Sequence, residues 1–183
     1  MRVDSKVITQ IKFILLWIYN KLYNYTPLFT FKQILLRNTG VVIPNSSVIH
    51  TPVRFFGIGN IEIGEHTTIN PGCYLDNRVG IKIGNNVSVA HDTKIYTLGH
   101  DIDNPFFLGK GKPVVICDYV CIFSNVLIMP GVKIGKGSVI YPGSVVTKSI
   151  GEYEVYAGNP AKFIRFRSQK QSYTIDYKYW FAL

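Results

Sequence analysis

The chain has 183 residues, of which 47% are hydrophobic and 17% charged, and its formal net charge is +9. This composition excludes a disordered chain, and the length suits one domain with a core of its own. The surplus of positive charge favours anionic partners. No run of Lys and Arg reaches five residues, so we do not expect nucleic acid to be one of them.

Residues 1–40 are predicted to form a helical segment. Apolar side chains recur there at helical spacing: Val7, Ile11, Ile14, Leu15, Ile18 and Leu22. The apolar run at 11–19, IKFILLWIY, is far shorter than the roughly 20 residues that cross a bilayer. Two interpretations stay open. The helix covers one end of the domain, or residues 1–36 lie in a membrane interface, helped by their lysines.

Residues 41–150 repeat with a period of six. One large apolar residue marks each unit: Ile43, Ile49, Phe55, Ile63, Ile69, Leu75, Ile83, Val89, Ile95, Ile116, Ile122, Ile128, Ile134, Ile140 and Val146. Such a repeat is typical of a β-helical solenoid, in which every unit supplies one short strand and one corner. Three units close a triangular coil, so the fifteen positions predict an all-β parallel β-helix of about five coils.

The repeat is interrupted by a loop at about 97–112, which contains His100. Smaller expansions follow Phe55 and Leu75 at the same corner, so the insertions should stack along one edge of the coils. An imidazole titrates near neutral pH, which makes His100 a candidate general base. Asp76, on the same expanded edge, is a candidate for binding sugar hydroxyls.

The three cysteines, Cys73, Cys117 and Cys121, form no CxxC pair. Reduced thiols in a cytoplasmic protein are therefore expected. Cys121 is the alternative nucleophile, but no histidine is placed to activate it. Residues 151–183 form a C-terminal extension, whose aromatic tail at 172–183 is predicted to pack over the last coil.

Several stretches together resemble the hexapeptide-repeat acyltransferases: VSVAHDTKIYTLGHD, PGVKIG, GSVVTK and AGNPAK. The resemblance covers about residues 60–167 and is closest to the O-acetyltransferases of sugars and surface polysaccharides, of the galactoside, maltose and colanic-acid types. It implies a left-handed β-helix, a homotrimer, and acetyl-CoA bound in a groove between neighbouring subunits.

The resemblance also implies roles for individual residues. His100 matches the catalytic histidine, and Asn70 matches an asparagine that holds the acceptor. The positions that match the coenzyme groove are Ser124, Pro142, Thr147 and Lys148, with Lys162 and Arg165 near the nucleotide end of CoA.

The sequence thus predicts a cytoplasmic acetyltransferase, with the inner face of the cytoplasmic membrane as a possible location. It would move an acetyl group from acetyl-CoA to a sugar hydroxyl by direct attack, with no metal. Three alternatives stay open. The first is an N-acetyltransferase of an amino-sugar nucleotide, an amino acid or an antibiotic. The others are a metal-dependent β-helix like the carbonic anhydrases and a purely structural solenoid.

Overall fold

The computed structural model describes residues 3–177, with side chains described from residue 6 onward. Two helices come first, α1 (Val3–Tyr25) and α2 (Phe29–Asn38). The other regular elements of the described chain are strands, most of them two or three residues long. The predicted N-terminal helical segment is confirmed and consists of these two helices.

Three sheets form the sides of a triangular prism. Sheet 1 contains β1 (Val48–Ile49), β4 (Thr68–Ile69), β7 (Ser88–Val89), β12 (Cys121–Ile122), β15 (Val139–Ile140), β17 (Glu154–Ala157) and β18 (Lys162–Phe166). Sheet 2 contains β2 (Arg54–Phe55), β5 (Tyr74–Leu75), β8 (Lys94–Ile95), β13 (Leu127–Ile128) and β16 (Val145–Val146). Sheet 3 contains β3 (Ile61–Ile63), β6 (Ile81–Ile83), β11 (Val114–Ile116) and β14 (Lys133–Ile134). Strands within a sheet pair in parallel, except β17 with β18.

The fifteen repeat positions point into the prism. Each of them is at most 5% exposed. Equivalent residues of successive coils stack on one another, as Leu75 pairs with Ile95 and Ile95 with Ile128. Burial of a large aliphatic side chain contributes about 1.5–3 kcal/mol, so these columns, one on each sheet, supply a large part of the core. The predicted five-coil parallel β-helix is confirmed.

The corners between the sheets form three edges. Edge 1–2 lies where the chain passes from sheet 1 to sheet 2, and edges 2–3 and 3–1 follow in the same way. Gly72, on edge 1–2, has a positive φ of +82°, and a Cβ there would collide with Asp92 in the next coil. Only glycine meets both demands of this corner.

Both ends of the prism are covered. At the N-terminal end, the rings of Tyr19 and Tyr23 in α1 lie 5.3 and 5.2 Å from that of Phe55. At the other end, parallel pairing continues past residue 150, where β17 pairs with β15 and Val155 lies opposite Val139. The antiparallel strand β18 then ends sheet 1.

The C-terminal tail differs from the prediction that it packs over the last coil. It runs back along edge 3–1, where the ring of Tyr173 lies 5.5 Å from that of Tyr119. Further along, the backbone N–H of Ile175 donates to Asn86 Oδ1, at 3.2 Å, in an earlier coil. Residues 178–183 of the predicted aromatic tail lie outside the described residues.

Candidate active site

The predicted loop at 97–112 is a hairpin that projects from edge 2–3. Its strands are β9 (Leu98–His100) and β10 (Gly109–Gly111), which pair antiparallel with His100 opposite Gly109. Asn104 makes the turn, because its Oδ1 accepts the N–H of Phe106 and its carbonyl accepts that of Phe107, both at 2.9 Å. The hairpin leaves the prism unbroken and presents His100 to solvent.

Phe107 orients the imidazole of His100. The Nδ1 of His100 lies 2.8 Å from the carbonyl oxygen of Phe107, and the two rings stack 4.3 Å apart at 5°. A carbonyl only accepts, so this hydrogen bond requires the proton on Nδ1. The lone pair of Nε2 is then free to take a proton. Phe107 itself has a φ of +49°, a costly conformation for a bulky residue, which aims its carbonyl at the ring.

Asp101 does not pair with the adjacent His100. Its carboxylate accepts from Lys110 Nζ at 2.9 Å and from the N–H of Asp103 at 3.2 Å. The hydrogen bond from Lys110, followed by that from Asp103, holds the pKa of Asp101 below its usual range. Asp101 therefore links the two sides of the hairpin through Lys110. The imidazole of His100 has its hydrogen bond with Phe107 instead.

The root of the hairpin is held by Asp76, which is fully buried. Its two carboxylate oxygens accept from Nε and Nη2 of Arg78, at 2.7 and 2.8 Å. One of them also accepts the N–H of Leu98, at 3.3 Å, where β9 begins. Burial alone would raise the pKa of Asp76, but the bonds from Arg78 bring it below its usual value. Binding of sugar hydroxyls by Asp76 stays a prediction, and its oxygens are engaged within the chain.

The other predicted site residues lie on two edges and on β18. Asn70, Ser124 and Pro142 are on edge 1–2, while Thr147 and Lys148 are on edge 2–3, as is the hairpin. Lys162 and Arg165 lie on the exposed strand β18. One face of the prism, sheet 2, separates Asn70 from the root of the His100 hairpin within a single chain.

The described side chains favour neither a cysteine nucleophile nor a metal site. Burial raises the pKa of the Cys121 thiol, and the nearby Arg167 only partly offsets this, so Cys121 stays protonated and is a poor nucleophile. From residue 6 to 177, no three His, Cys, Asp or Glu side chains are grouped in a way that could hold a metal ion.

Three residues of the site were not predicted from the sequence: Phe107, Arg78 and Lys110. Phe107 is one of several exposed apolar residues in the inserted loop, so the sequence does not single it out. Arg78 follows Asp76 by two residues, a spacing that also occurs by chance. Their roles depend on how the hairpin folds back on itself.

Comparison with known proteins supports the architecture. The model of the bacterial transferase hexapeptide family (six repeats) matches residues 113–148. A relative in Saccharomyces cerevisiae is 43% identical over 122 residues, and the match spans 65% of this chain but only 62% of that protein. The galactoside O-acetyltransferase of Escherichia coli is 32% identical over 152 residues, which cover 80% of this chain and 75% of the enzyme.

A solved structure has the same fold. It is a hexapeptide-repeat acetyltransferase of Vibrio cholerae in complex with acetyl-CoA, 27% identical, with a TM-score of 0.74 over 84% of this chain and 86% of that one. The left-handed β-helix implied by the resemblance is confirmed by such neighbours. From its repeat, its fold and its likeness to the E. coli enzyme, the chain belongs to the hexapeptide-repeat family of acetyltransferases.

Proposed function

We propose that this protein transfers the acetyl group of acetyl-CoA to a hydroxyl of a sugar or a surface-glycan precursor, with His100 as the general base. The observation that carries the proposal is the hydrogen bond from His100 Nδ1 to Phe107, because in the neutral ring it places the proton on Nδ1 and leaves the Nε2 lone pair available on an exposed imidazole. The likeness to a galactoside O-acetyltransferase and to an acetyl-CoA complex supports the acceptor and donor classes.

A sugar hydroxyl is a weak nucleophile until it loses its proton. In the proposed reaction, His100 Nε2 takes that proton as the hydroxyl oxygen forms its bond to the acetyl carbon. The imidazolium then returns the proton to the departing sulfur, which regenerates the neutral ring. Acetyl-CoA supplies the thioester, and the attack is direct, without an acyl-enzyme. General base catalysis of this kind contributes about 10²–10⁴-fold to the rate.

The described residues fit a coenzyme that carries phosphates. Lys148, Lys162 and Arg165 are exposed, and none of them forms an ion pair with another described residue. Free cations at the C-terminal end of the prism are suited to hold phosphate groups. Ser124, Pro142 and Thr147, at the neighbouring corners, would line the path of the pantetheine arm.

The separation of Asn70 from the His100 hairpin supports a site shared between subunits. A hydroxyl held by Asn70 reaches an imidazole on the far edge of sheet 2 more readily if that imidazole belongs to a neighbouring copy. We therefore include a homotrimer in the proposal, with Asn70 of one subunit facing His100 of the next. The proposed location is the cytoplasm, including the inner face of the cytoplasmic membrane.

Replacement of the histidine tests the proposal. We expect His100→Ala to lower kcat by about 10²–10⁴-fold, since the acceptor proton then has no base. The measurement is release of free CoA thiol from acetyl-CoA with a panel of sugars and amino sugars as acceptors. Binding of CoA, followed by calorimetry, should be unchanged.

The matched control is His66→Ala, which replaces a histidine on edge 3–1. It should turn over like the wild type. Near-wild-type turnover by His100→Ala would overturn the mechanism. If the enzyme acetylated the amines of amino sugars and no hydroxyl acceptor, the O-acetyl assignment would be overturned. That result would favour the N-acetyl alternative.

A further inference from the structure

Helix α1 has two faces, and only one of them contacts the coils. The inner face carries Tyr19 and Tyr23, which are at most 4% exposed. The outer face carries an apolar stripe at i, i+4, i+7, i+11 and i+15 that is 40–57% exposed: Val7, Ile11, Ile14, Ile18 and Leu22. A helix advances about 100° per residue, so Ile18 and Tyr23 point about 140° apart. The stripe therefore faces away from the prism.

Positive charge exceeds negative charge around the stripe. Asp4 is the single acidic residue of α1, and no Asp or Glu follows from residue 5 to residue 61, whereas Lys6, Lys12 and Lys21 are exposed on the helix. Trp17 and Tyr25 are 63% and 76% exposed. The ammonium of Lys21 lies 5.9 and 5.3 Å from the centres of their rings. An apolar stripe flanked by lysines and by Trp and Tyr is suited to the interface of a bilayer.

We infer that the outer face of α1 docks in the plane of an anionic lipid bilayer. The lysines select the occupant, because a second copy of the same face would bring three lysines of each helix together with only one Asp4 per helix to offset them. No helix within residues 3–177 is both long and apolar enough to span a membrane. The stripe would enter the headgroup region while the inner face keeps its contacts with the first coil. This inference rests on α1 and does not depend on acetyl transfer.

Vesicle flotation with the full chain tests the inference. We expect the wild type to bind vesicles that contain phosphatidylglycerol at least tenfold more tightly than vesicles of phosphatidylcholine alone, and to lose this preference at high salt. The triple variant Ile11→Ser, Ile14→Ser, Ile18→Ser should weaken binding by more than tenfold, since it removes the apolar contact. The variant Lys6→Gln, Lys12→Gln, Lys21→Gln should weaken binding to the anionic vesicles at least tenfold.

Matched substitutions elsewhere separate this effect from general changes of charge or hydrophobicity. Val42→Ser replaces another exposed apolar residue, 61% exposed, and Lys82→Gln, Lys133→Gln, Lys136→Gln removes three charges from other surfaces. Both should bind as the wild type does. Circular dichroism checks folding, and thiol release with a free acceptor reports catalysis separately.

Two results would overturn the inference. The first is failure of the wild type to float with either vesicle, and the second is an outer-face variant that binds like the wild type. A change of oligomeric state in that variant by light scattering, without any vesicle binding by the wild type, would assign the stripe to a protein contact instead.

Discussion

Lys32 is a cation enclosed by the N-terminal cap. It is 1% exposed, and its Nζ donates to Thr51 Oγ1 at 2.9 Å. The rings of Tyr23 and Phe29 lie 5.2 and 5.8 Å from the ammonium. Burial lowers its pKa to about 8. The hydroxyl of Thr51 and the two ring faces replace the lost hydration of the ammonium only in part. Burial of the charged form of Lys32 therefore destabilises the folded protein.

This environment predicts how stability depends on pH. The unfolded chain binds the Lys32 proton up to its ordinary pKa of 10.5, whereas the folded chain releases it near 8. The unfolded state therefore binds more protons between these values, and the contribution of Lys32 to the free energy of unfolding rises with pH across this window. We expect Lys32→Met to be more stable than the wild type at pH 7, by up to about 3 kcal/mol. Its advantage should shrink as the pH approaches 10.5.

Denaturant unfolding of both proteins at several pH values measures the difference. Lys133→Met, at an exposed position, is the control and should follow the wild-type curve. Parallel curves for Lys32→Met and the wild type would contradict the prediction.

At the scale of elements, two asparagines of α1 replace a neighbouring strand. The Asn20 amide accepts the N–H of Phe55 at 2.8 Å and donates to its carbonyl at 3.0 Å. Asn24 does the same for Val53, at 2.9 Å in both directions. The four residues from Asn20 to Asn24 span about 6.0 Å along the helix, and the two residues from Val53 to Phe55 span about 6.6 Å along the strand. Because the two distances are similar, both amides can reach the backbone of the edge strand. The open edge of the first coil is thereby satisfied.

Substitution of these amides should weaken the cap. We expect Asn20→Leu with Asn24→Leu to lower the free energy of unfolding by about 2–4 kcal/mol, because buried backbone groups lose their partners. The variant should also aggregate more readily, since the edge of β2 becomes available to another chain. Thermal unfolding and light scattering measure the two effects. Asn38→Leu, exposed at the end of α2, is the control, and an unchanged melting temperature in the double variant would refute the role of the amides.

The sequence predicted the first helix and two uses for it, but not which of its side chains contact the coils. Its helical spacing is a local property and can be counted. The apolar residues at that spacing, such as Ile11 and Ile18, lie on the outer face, whereas two amides and two tyrosines make the contact with the coils. Asparagine disfavours helix interiors, so its role appears only when the helix is seen beside the strand.

At the scale of the molecule, the proposed shared site predicts complementation between inactive chains. We expect Asn70→Ala and His100→Ala to be impaired separately. When they are co-refolded in equal amounts, about one quarter of the sites of a cyclic trimer should contain an intact Asn70 from one subunit and an intact His100 from the next. Thiol release should recover to about that fraction of the wild type.

Refolding each variant alone is the control, and light scattering verifies the oligomeric state. No recovery in mixed trimers would place both residues of a site in the same chain, and a monomer in solution would refute the assembly.

Most of the architecture was predictable, whereas the orientation of the His100 imidazole was not. The fifteen inward positions follow from a six-residue period, because each corner and strand is specified by residues close in sequence. The interruption after Ile95 also predicted the inserted loop that contains His100. The carbonyl of Phe107 could not be assigned in the same way. It reaches His100 only through the turn at Asn104 and its own left-handed backbone.

The position of the cap at the N-terminus has a consequence for how the chain acquires its structure during synthesis. The residues that close the first coil, Asn20 and Asn24, leave the ribosome before the strand they satisfy. Each later coil pairs with one that has already emerged. Domains form from the N-terminus as the chain is made, and solenoid units contact only their neighbours. Folding can therefore advance one coil at a time, because each newly made coil adds to the C-terminal end of the coils that have already formed.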